Sequence, residues 1–254
     1  MNPEAHSATS NDLAGRSSGE ASADVAAVAS LDEPTRRRIY DHVSAHSSPV
    51  SRDDVADGLG LPRRTAAFHL DRLAELGLLT VTFARRSGRS GPGAGRPAKL
   101  YQRSSAEVSV SLPSRQYDLA GNLLAGAIEQ AQQSGQPPGQ VLAQQARDLG
   151  RAMARAQTGR SEHTEQLEPG RGEYSALMSL LETHGFEPQI KGGDVLLHNC
   201  PFHALAQEHT SLICGMNLQL VEGVLEGLGQ TGLRAYLDPA PPRCCVRLGT
   251  SDQG

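Results

Sequence analysis

Tryptophan is absent from this chain of 254 residues, and tyrosine and phenylalanine number only five and four. A hydrophobic share of 38% is nevertheless ordinary and supplies enough for two modest domains. Also missing is any apolar run near the roughly 20 residues that span a bilayer. The opening Met1-Asn2-Pro3-Glu4-Ala5-His6 lacks the basic start and apolar stretch of a secretory signal. The expectation is a cytoplasmic protein with no membrane partner. Catalytic signatures are missing too: there is no Gly-Lys-Thr/Ser phosphate loop, no Gly-x-Ser-x-Gly elbow and no His-Glu-x-x-His. The chain therefore reads as not an enzyme. A Cys-His-dependent enzyme using Cys200 and His203 is kept as an alternative, although nothing orients that pair.

Acidic residues vanish between Gly77 and Ser105, where Arg85, Arg86, Arg89, Arg96, Lys99 and Arg103 stand unopposed. The formal net charge is −4, but the field that a polyanion meets depends on local distribution. Cysteine is likewise absent until Cys200, after which come Cys214, Cys244 and Cys245. Four cysteines confined to one end of a cytoplasmic chain point to a metal site or a redox device rather than to structural disulfides.

Residues 1–23 are rich in Ser, Ala, Gly and Asp without apolar periodicity, and are expected to form a disordered tail. Helices are expected between Val25 and His46, one starting at Asp32-Glu33-Pro34-Thr35. Ser51 is a good N-cap for a short helix carrying Val55, Ala56 and Leu59, and Gly60 supplies a turn. A second helix then starts at Pro62, buries Ala66, Leu70 and Leu73 on one stripe and ends at Gly77. This helix-turn-helix would present Arg63, Arg64, Thr65, Ala67, Phe68 and Arg72 to a DNA major groove, with His69 packed inside. Leu78–Phe83 and Pro97–Tyr101 read as paired strands, and the Gly-rich loop between them as a wing whose Arg85, Arg86, Arg89 and Arg96, with Lys99, follow phosphates.

Ser114–Gln133 and Gln140–Gln157 read as helices with apolar stripes, Leu119, Leu123, Leu124 and Ile128 in one and Val141, Leu142, Ala146, Leu149 and Met153 in the other. They suit a dimerisation arm. A polar linker follows at Thr158–Gly172. Beyond it a helix is expected at Glu173–His184, strands near Phe186–Ile190 and Val195–His198, helix from His203 to Leu228, and strands near Ala235–Leu237 and Cys244–Leu248. The fold class is a helix-rich α+β with four parts. These are a tail (1–23), a winged helix-turn-helix (24–105), a helical dimerisation and linker region (106–160) and an α+β sensor domain (161–254).

Three segments carry a family resemblance: Leu31-Asp32-Glu33-Pro34-Thr35-Arg36-Arg37-Arg38-Ile39, Thr65-Ala66-Ala67-Phe68-His69-Leu70-Asp71-Arg72-Leu73 and Gly95-Arg96-Pro97-Ala98-Lys99-Leu100-Tyr101. They resemble ArsR-type winged-helix regulators. The last segment and the distal cysteines are similar to the SufR branch, repressors of iron–sulfur cluster assembly operons. That resemblance implies a homodimer on an inverted-repeat double-stranded DNA operator, and a 4Fe-4S or 2Fe-2S cluster sensed through spaced C-terminal cysteines. Cys200, Cys214 and the Arg243-Cys244 pair fit the layout, while a further cysteine found in some members between the second and the terminal one is absent.

Thiolates suit iron because soft, charged sulfur stabilises its mixed oxidation states, and four ligands are usual. On a strand Cys244, Val246 and Leu248 share one face and Cys245 and Arg247 the other, so Cys244 is the better ligand. The fourth donor is open between His203, ranked first for its closeness to Cys200, Cys245, and an external or carboxylate ligand. His198 and His209 read as surface histidines. Zinc is the rival metal, although no Cys-x-x-Cys pair is present. A thiol redox switch using Cys200 and Cys214 is the third option.

Overall fold

The computed structural model describes residues 18–84, 97–161, 174–230, 232–240 and 243–250. It divides into two compact units, one formed by Ser17–Val110 and the other built on Ser111–Gly254, and each has its own hydrophobic core. The class is the expected mixed α+β. Among the described residues no helix is long and apolar enough to cross a membrane.

The first unit runs α1 (Ser18–Ser30), α2 (Pro34–Ser44), β1 (Val50–Ser51), α3 (Arg52–Leu59), α4 (Arg63–Glu75), β2 (Leu79–Ala84) and β3 (Ala98–Arg103). Helix α1 begins at Ser18, inside the stretch 1–23 expected to form a tail, whose other residues lie outside those described. Alanine favours helix strongly, and Ala27 fixes α1 by burying itself beside Ile39 and Val43 of α2. Helix α2 starts where Pro34 follows Glu33, whose carboxylate accepts from the backbone N–H of Thr35 (3.0 Å) and Arg36 (2.6 Å). Strands β2 and β3 pair antiparallel from Leu79↔Arg103 to Ala84↔Ala98. The short β1, not anticipated from sequence, pairs with the other edge of β3 through Val50↔Tyr101 and Ser51↔Leu100.

The second unit contains α5 (Tyr117–Ser134), α6 (Pro138–Ser161), α7 (Ser175–Thr183), β4 (Pro188–Lys191), β5 (Asp194–Leu197), α8 (His203–Glu208), α9 (Thr210–Gly227), β6 (Leu233–Leu237) and β7 (Val246–Thr250). Its sheet is antiparallel throughout, in the order β4-β5-β7-β6. The apolar stripes expected to need a partner are largely covered within the chain, Ile128 of α5 remaining exposed. Leu119 and Leu123 of α5 and Val141, Leu142, Ala146 and Met153 of α6 join one core with α9 and the sheet residues Val195, Leu197, Val246 and Leu248.

Helices α6 and α9 cross with almost no side chain between them. A Cβ on Gly150 would overlap the carbonyl oxygen of Leu220, and one on Gly223 would overlap that of Arg147. Beside this crossing Glu226 of α9 receives Arg147 and Arg151 of α6, Arg151 Nε donating across 2.7 Å. The two guanidiniums, Arg147 first, pull the Glu226 carboxyl down to about 2. Close backbone contact and this ion pair tie the two helices together along their length.

Candidate nucleic-acid interface and cysteine site

Helix α3 opens with a reciprocal cap: Asp54 N–H donates to Ser51 Oγ (3.3 Å), and Ser51 N–H donates to Asp54 Oδ2 (2.8 Å). It closes on Gly60 at φ +65°, a left-handed turn that turns the chain into α4. Ala66, His69, Leu70 and Leu73 of α4 are buried, so the opposite face is free for another surface. His69 is the packed residue expected, its Nδ1 lying 3.6 Å from Glu33 Oε2 at the start of α2.

The residues expected to meet DNA fall into distinct settings. Arg64 is exposed and has no ion pair among the described residues. Phe68 is 63% exposed and stacks edge-on with His69, ring centres 5.2 Å apart. Thr65 and Ala67 are half-buried. Arg63 is exposed but donates from Nη2 to Asp53 Oδ2 at the start of α3, across 2.6 Å. Arg72 is exposed and paired with Glu75 at 3.0 Å, one turn along the same helix. Arg85, Arg86, Arg89 and Arg96 lie outside the described residues.

Lys99 stands differently from the rest. Its Nζ donates to Asp71 Oδ1 across 2.5 Å, and the Tyr101 hydroxyl donates to the same oxygen across 2.6 Å. Burial would raise the Asp71 carboxyl, but the bonds from Lys99 and Tyr101 outweigh it and hold the pKa below the ordinary value. Burial first, then the Asp71 carboxylate, pushes the Tyr101 phenol up. Asp71 thus fastens the exposed helix α4 to strand β3 at the base of the expected wing. Between them lies a groove of about 470 Å³ lined by Arg52, Asp53, Arg63, Asp71, Phe83 and Lys99 among others. Sequence reading missed Asp71, yet a signal existed: Lys99 and Tyr101 are two apart on one strand, so they face the same partner.

All four cysteines of the second unit are free; Cys200, Cys214 and Cys244 are buried and Cys245 is half-buried. Cys200 sits in the turn between β5 and α8. Cys214 occupies the second turn of α9, because the backbone breaks at His209 and divides the helix expected from His203 to Leu228 into α8 and α9. Cys244 and Cys245 immediately precede β7, where Cys244 N–H donates to the Leu197 carbonyl (2.9 Å) and prolongs the pairing with β5. Cys244, Val246 and Leu248 are all at most 1% exposed, while Cys245 and Arg247 are half-buried, as strand alternation requires.

The thiols bear on one another's protonation: Cys244 on Cys200, Cys200 and Cys245 on Cys244, and Cys245 on Cys214. The neighbouring Cys244 thiol, then burial, pushes the Cys200 pKa upward; burial raises that of Cys214. Cys200 pulls the Cys244 thiol down, but Cys245 together with burial prevails and leaves it at about 11. Asn217, 1% exposed and one turn beyond Cys214, donates its Nδ2 to Cys244 Sγ across 3.3 Å, while its Oδ1 is buried without a hydrogen-bond partner. The i, i+3 spacing from Cys214 was a signal for Asn217 that sequence reading passed over. His203 is exposed at the start of α8, and His198 and His209 are exposed too. Among the described residues no three His, Cys, Asp or Glu side chains stand as a preformed metal cage.

Comparison with known proteins bears on the first unit. Residues 31–82 match the model of a helix-turn-helix domain. The first unit carries a helix-turn-helix. The match takes in α2, α3, α4 and most of β2, the elements that expose Arg64 and Phe68. It is the type of domain found in DNA-binding transcriptional regulators. No curated protein and no solved structure gives a significant match to the chain.

Proposed function

We propose that the chain is a transcriptional repressor of the SufR-like type, acting as a homodimer on an inverted-repeat operator, whose DNA affinity is set by an iron–sulfur cluster in the second unit. The observation that carries this reading is the presence, in one chain, of a helix-turn-helix and four free thiols from three separate segments of the second unit, three of them buried. The donor chemistry suits the group. Four soft sulfur donors match the usual ligand number of an iron–sulfur cluster, and Asn217 supplies an N–H donor to sulfur of the kind that tunes such sites.

Cys200, Cys214, Cys244 and Cys245 are the assigned donors. His203 is replaced by Cys245 as the fourth, because its ring is exposed at the start of α8, whereas Cys245 is half-buried beside Cys244 and bears on the protonation of both Cys214 and Cys244. When bound, the cluster supplies a group whose presence depends on iron and oxidant supply. The chain's part is to hold three segments to one point and to release them when it is lost. DNA recognition falls to Arg64, Phe68 and the wing arginines, with Asp71 fixing the angle between helix and wing. A dimer follows from the small surface of one recognition helix, which alone discriminates a site weakly.

The test is anaerobic purification with iron, sulfide and zinc analysis and a visible absorption spectrum. Broad charge-transfer absorption with matching iron and sulfide supports the cluster. Stoichiometric zinc with no visible band would replace it with a structural zinc site, and neither metal would favour a thiol redox switch.

A further inference from the structure

The segment that opens the second unit, Ser111–Gln116, is sewn onto the turn that carries Cys200. Asn199, 6% exposed and adjacent to Cys200, donates its Nδ2 to the carbonyls of Ser114 (3.0 Å) and Gly185 (2.6 Å). Its Oδ1 accepts from Arg115 Nη1 at 2.5 Å, and the same guanidinium nitrogen reaches the Cys200 carbonyl at 3.3 Å. The backbone closes the stitch: Gln116 N–H donates to the Pro201 carbonyl across 3.0 Å. Gly185, at φ +80°, leaves no room for a side chain, since a Cβ there would meet Ser114 Oγ at 2.7 Å and Ser114 Cβ at 2.9 Å.

Ser111 follows directly on Val110, the last residue of the helix-turn-helix unit. Whatever moves Cys200 must therefore move, through bonds of 2.5 to 3.3 Å, the strand of chain that leaves the DNA-binding unit. We infer that Arg115 and Asn199 are positioning residues that couple the occupancy of the cysteine site to the connector 111–116. The inference rests on the proposed reading for what occupies the cysteines, but the coupling itself concerns only this chain's own hydrogen bonds. A side chain buried this deeply with three partners on two different segments, Ser114 and Arg115 of the connector and Gly185 after α7, is a junction rather than a surface contact.

The physical consequence is directional. A ligand shifts an equilibrium only through differential contacts with the two states, and those contacts must reach the responding element. Cys214 and Cys244 lie on α9 and before β7, within the folded interior of the unit. Cys200 is the one cysteine whose neighbouring backbone is bonded to the connector.

The experiment uses the full chain, anaerobic, as wild type and as Cys200→Ser, Arg115→Ala, Asn199→Ala and the double variant Cys200→Ser with Asn199→Ala. Hydrogen–deuterium exchange is followed on peptides covering 111–118. Cys200→Ser is expected to speed exchange of the Gln116 amide in the otherwise wild-type chain, and to change nothing further once Asn199 is Ala. Equal exchange in wild type and Cys200→Ser overturns the coupling, and so does an undiminished effect of Cys200→Ser in the Asn199→Ala background. In parallel, binding is measured to a duplex selected by the wild-type protein from a random pool. Arg115→Ala and Asn199→Ala should keep the iron and sulfide content of wild type, while a holo-to-apo affinity ratio of about fivefold or more falls to near unity. A full ratio in both variants with intact iron content also overturns the coupling. Absence of iron and sulfide from the wild type would instead end the cluster reading, and the exchange comparison would then decide the coupling alone.

Discussion

Asn217 Nδ2 stands 3.3 Å from Cys244 Sγ, a buried amide aimed at a buried sulfur, with the other amide atom left unsatisfied. An Oδ1 without a partner among the described residues costs folding free energy. Asn217→Leu, close in volume and apolar, should therefore cost the metal-free protein less stability than Asn217→Ala, which leaves a cavity worth about 1–3 kcal/mol. Urea denaturation of the reduced, metal-free variants measures the difference. With the cluster in place both substitutions should speed its loss on exposure to air, and unchanged loss would show that the amide serves packing alone.

The α6–α9 crossing yields a pair of opposite expectations. Gly150→Ala or Gly223→Ala forces a Cβ into backbone, so the helices must separate and the second unit should lose at least about 2–4 kcal/mol. Gly121→Ala, on α5 with nothing within 4 Å of its Cβ, should instead gain about 0.5–1 kcal/mol from helix propensity. Thermal melting of the three variants tests both signs at once.

Stability of the second unit should depend on His184. Burial among Met153, Leu180, Phe186 and Leu220 holds its imidazole pKa below the ordinary 6.5. In the unfolded chain the ring titrates near 6.5, so below that pH the unfolded state binds a proton that the folded state refuses. Its contribution is neutral above pH 6.5, and stability declines as pH falls through that value. A urea midpoint measured from pH 7.5 to 5 should fall in wild type and fall less in His184→Leu; parallel curves would remove His184 as the source.

Much of this was legible in the sequence, and the reasons are local. Ser51, Gly60, Pro34 and Gly77 act on their own backbone, so the helix-turn-helix could be read from them directly. The alternation around Cys244 was readable because strand parity involves only neighbours. What stayed hidden was set by partners far along the chain. The break at His209 divides the helix expected from His203 to Leu228 and puts Cys214 on the second turn of α9. Asp71 meets Lys99 and Tyr101 about 30 residues on, and Asn199 meets Ser114 85 residues back. The apolar stripes of α5 and α6 announced that they needed covering, but periodicity could not say that α5 would pack on α6 and α6 on α9 of the same chain.

For DNA, Arg64 and the wing arginines should separate by their kind of effect. Arg64→Ala, removing the unpaired cation of α4, should change which sequences are selected from a random pool by about 1–3 kcal/mol at the affected base pair. Arg86→Ala, Arg89→Ala and Arg96→Ala combined should weaken binding to all duplexes and lower the slope of log affinity against log salt by roughly 0.9 per lost phosphate contact. Arg63→Ala should do less than Arg64→Ala, since Asp53 already holds Arg63. A salt slope unchanged by the triple substitution would place the wing away from the phosphates.

The most direct test is the affinity of one selected duplex for the anaerobic cluster-loaded protein and for the same protein after cluster removal and thiol reduction, at fixed salt. The account predicts a difference of about fivefold to 150-fold, abolished by Cys200→Ser, Cys214→Ser or Cys244→Ser. Equal affinity of the two wild-type forms would contradict it, leaving the cysteines a role in stability only.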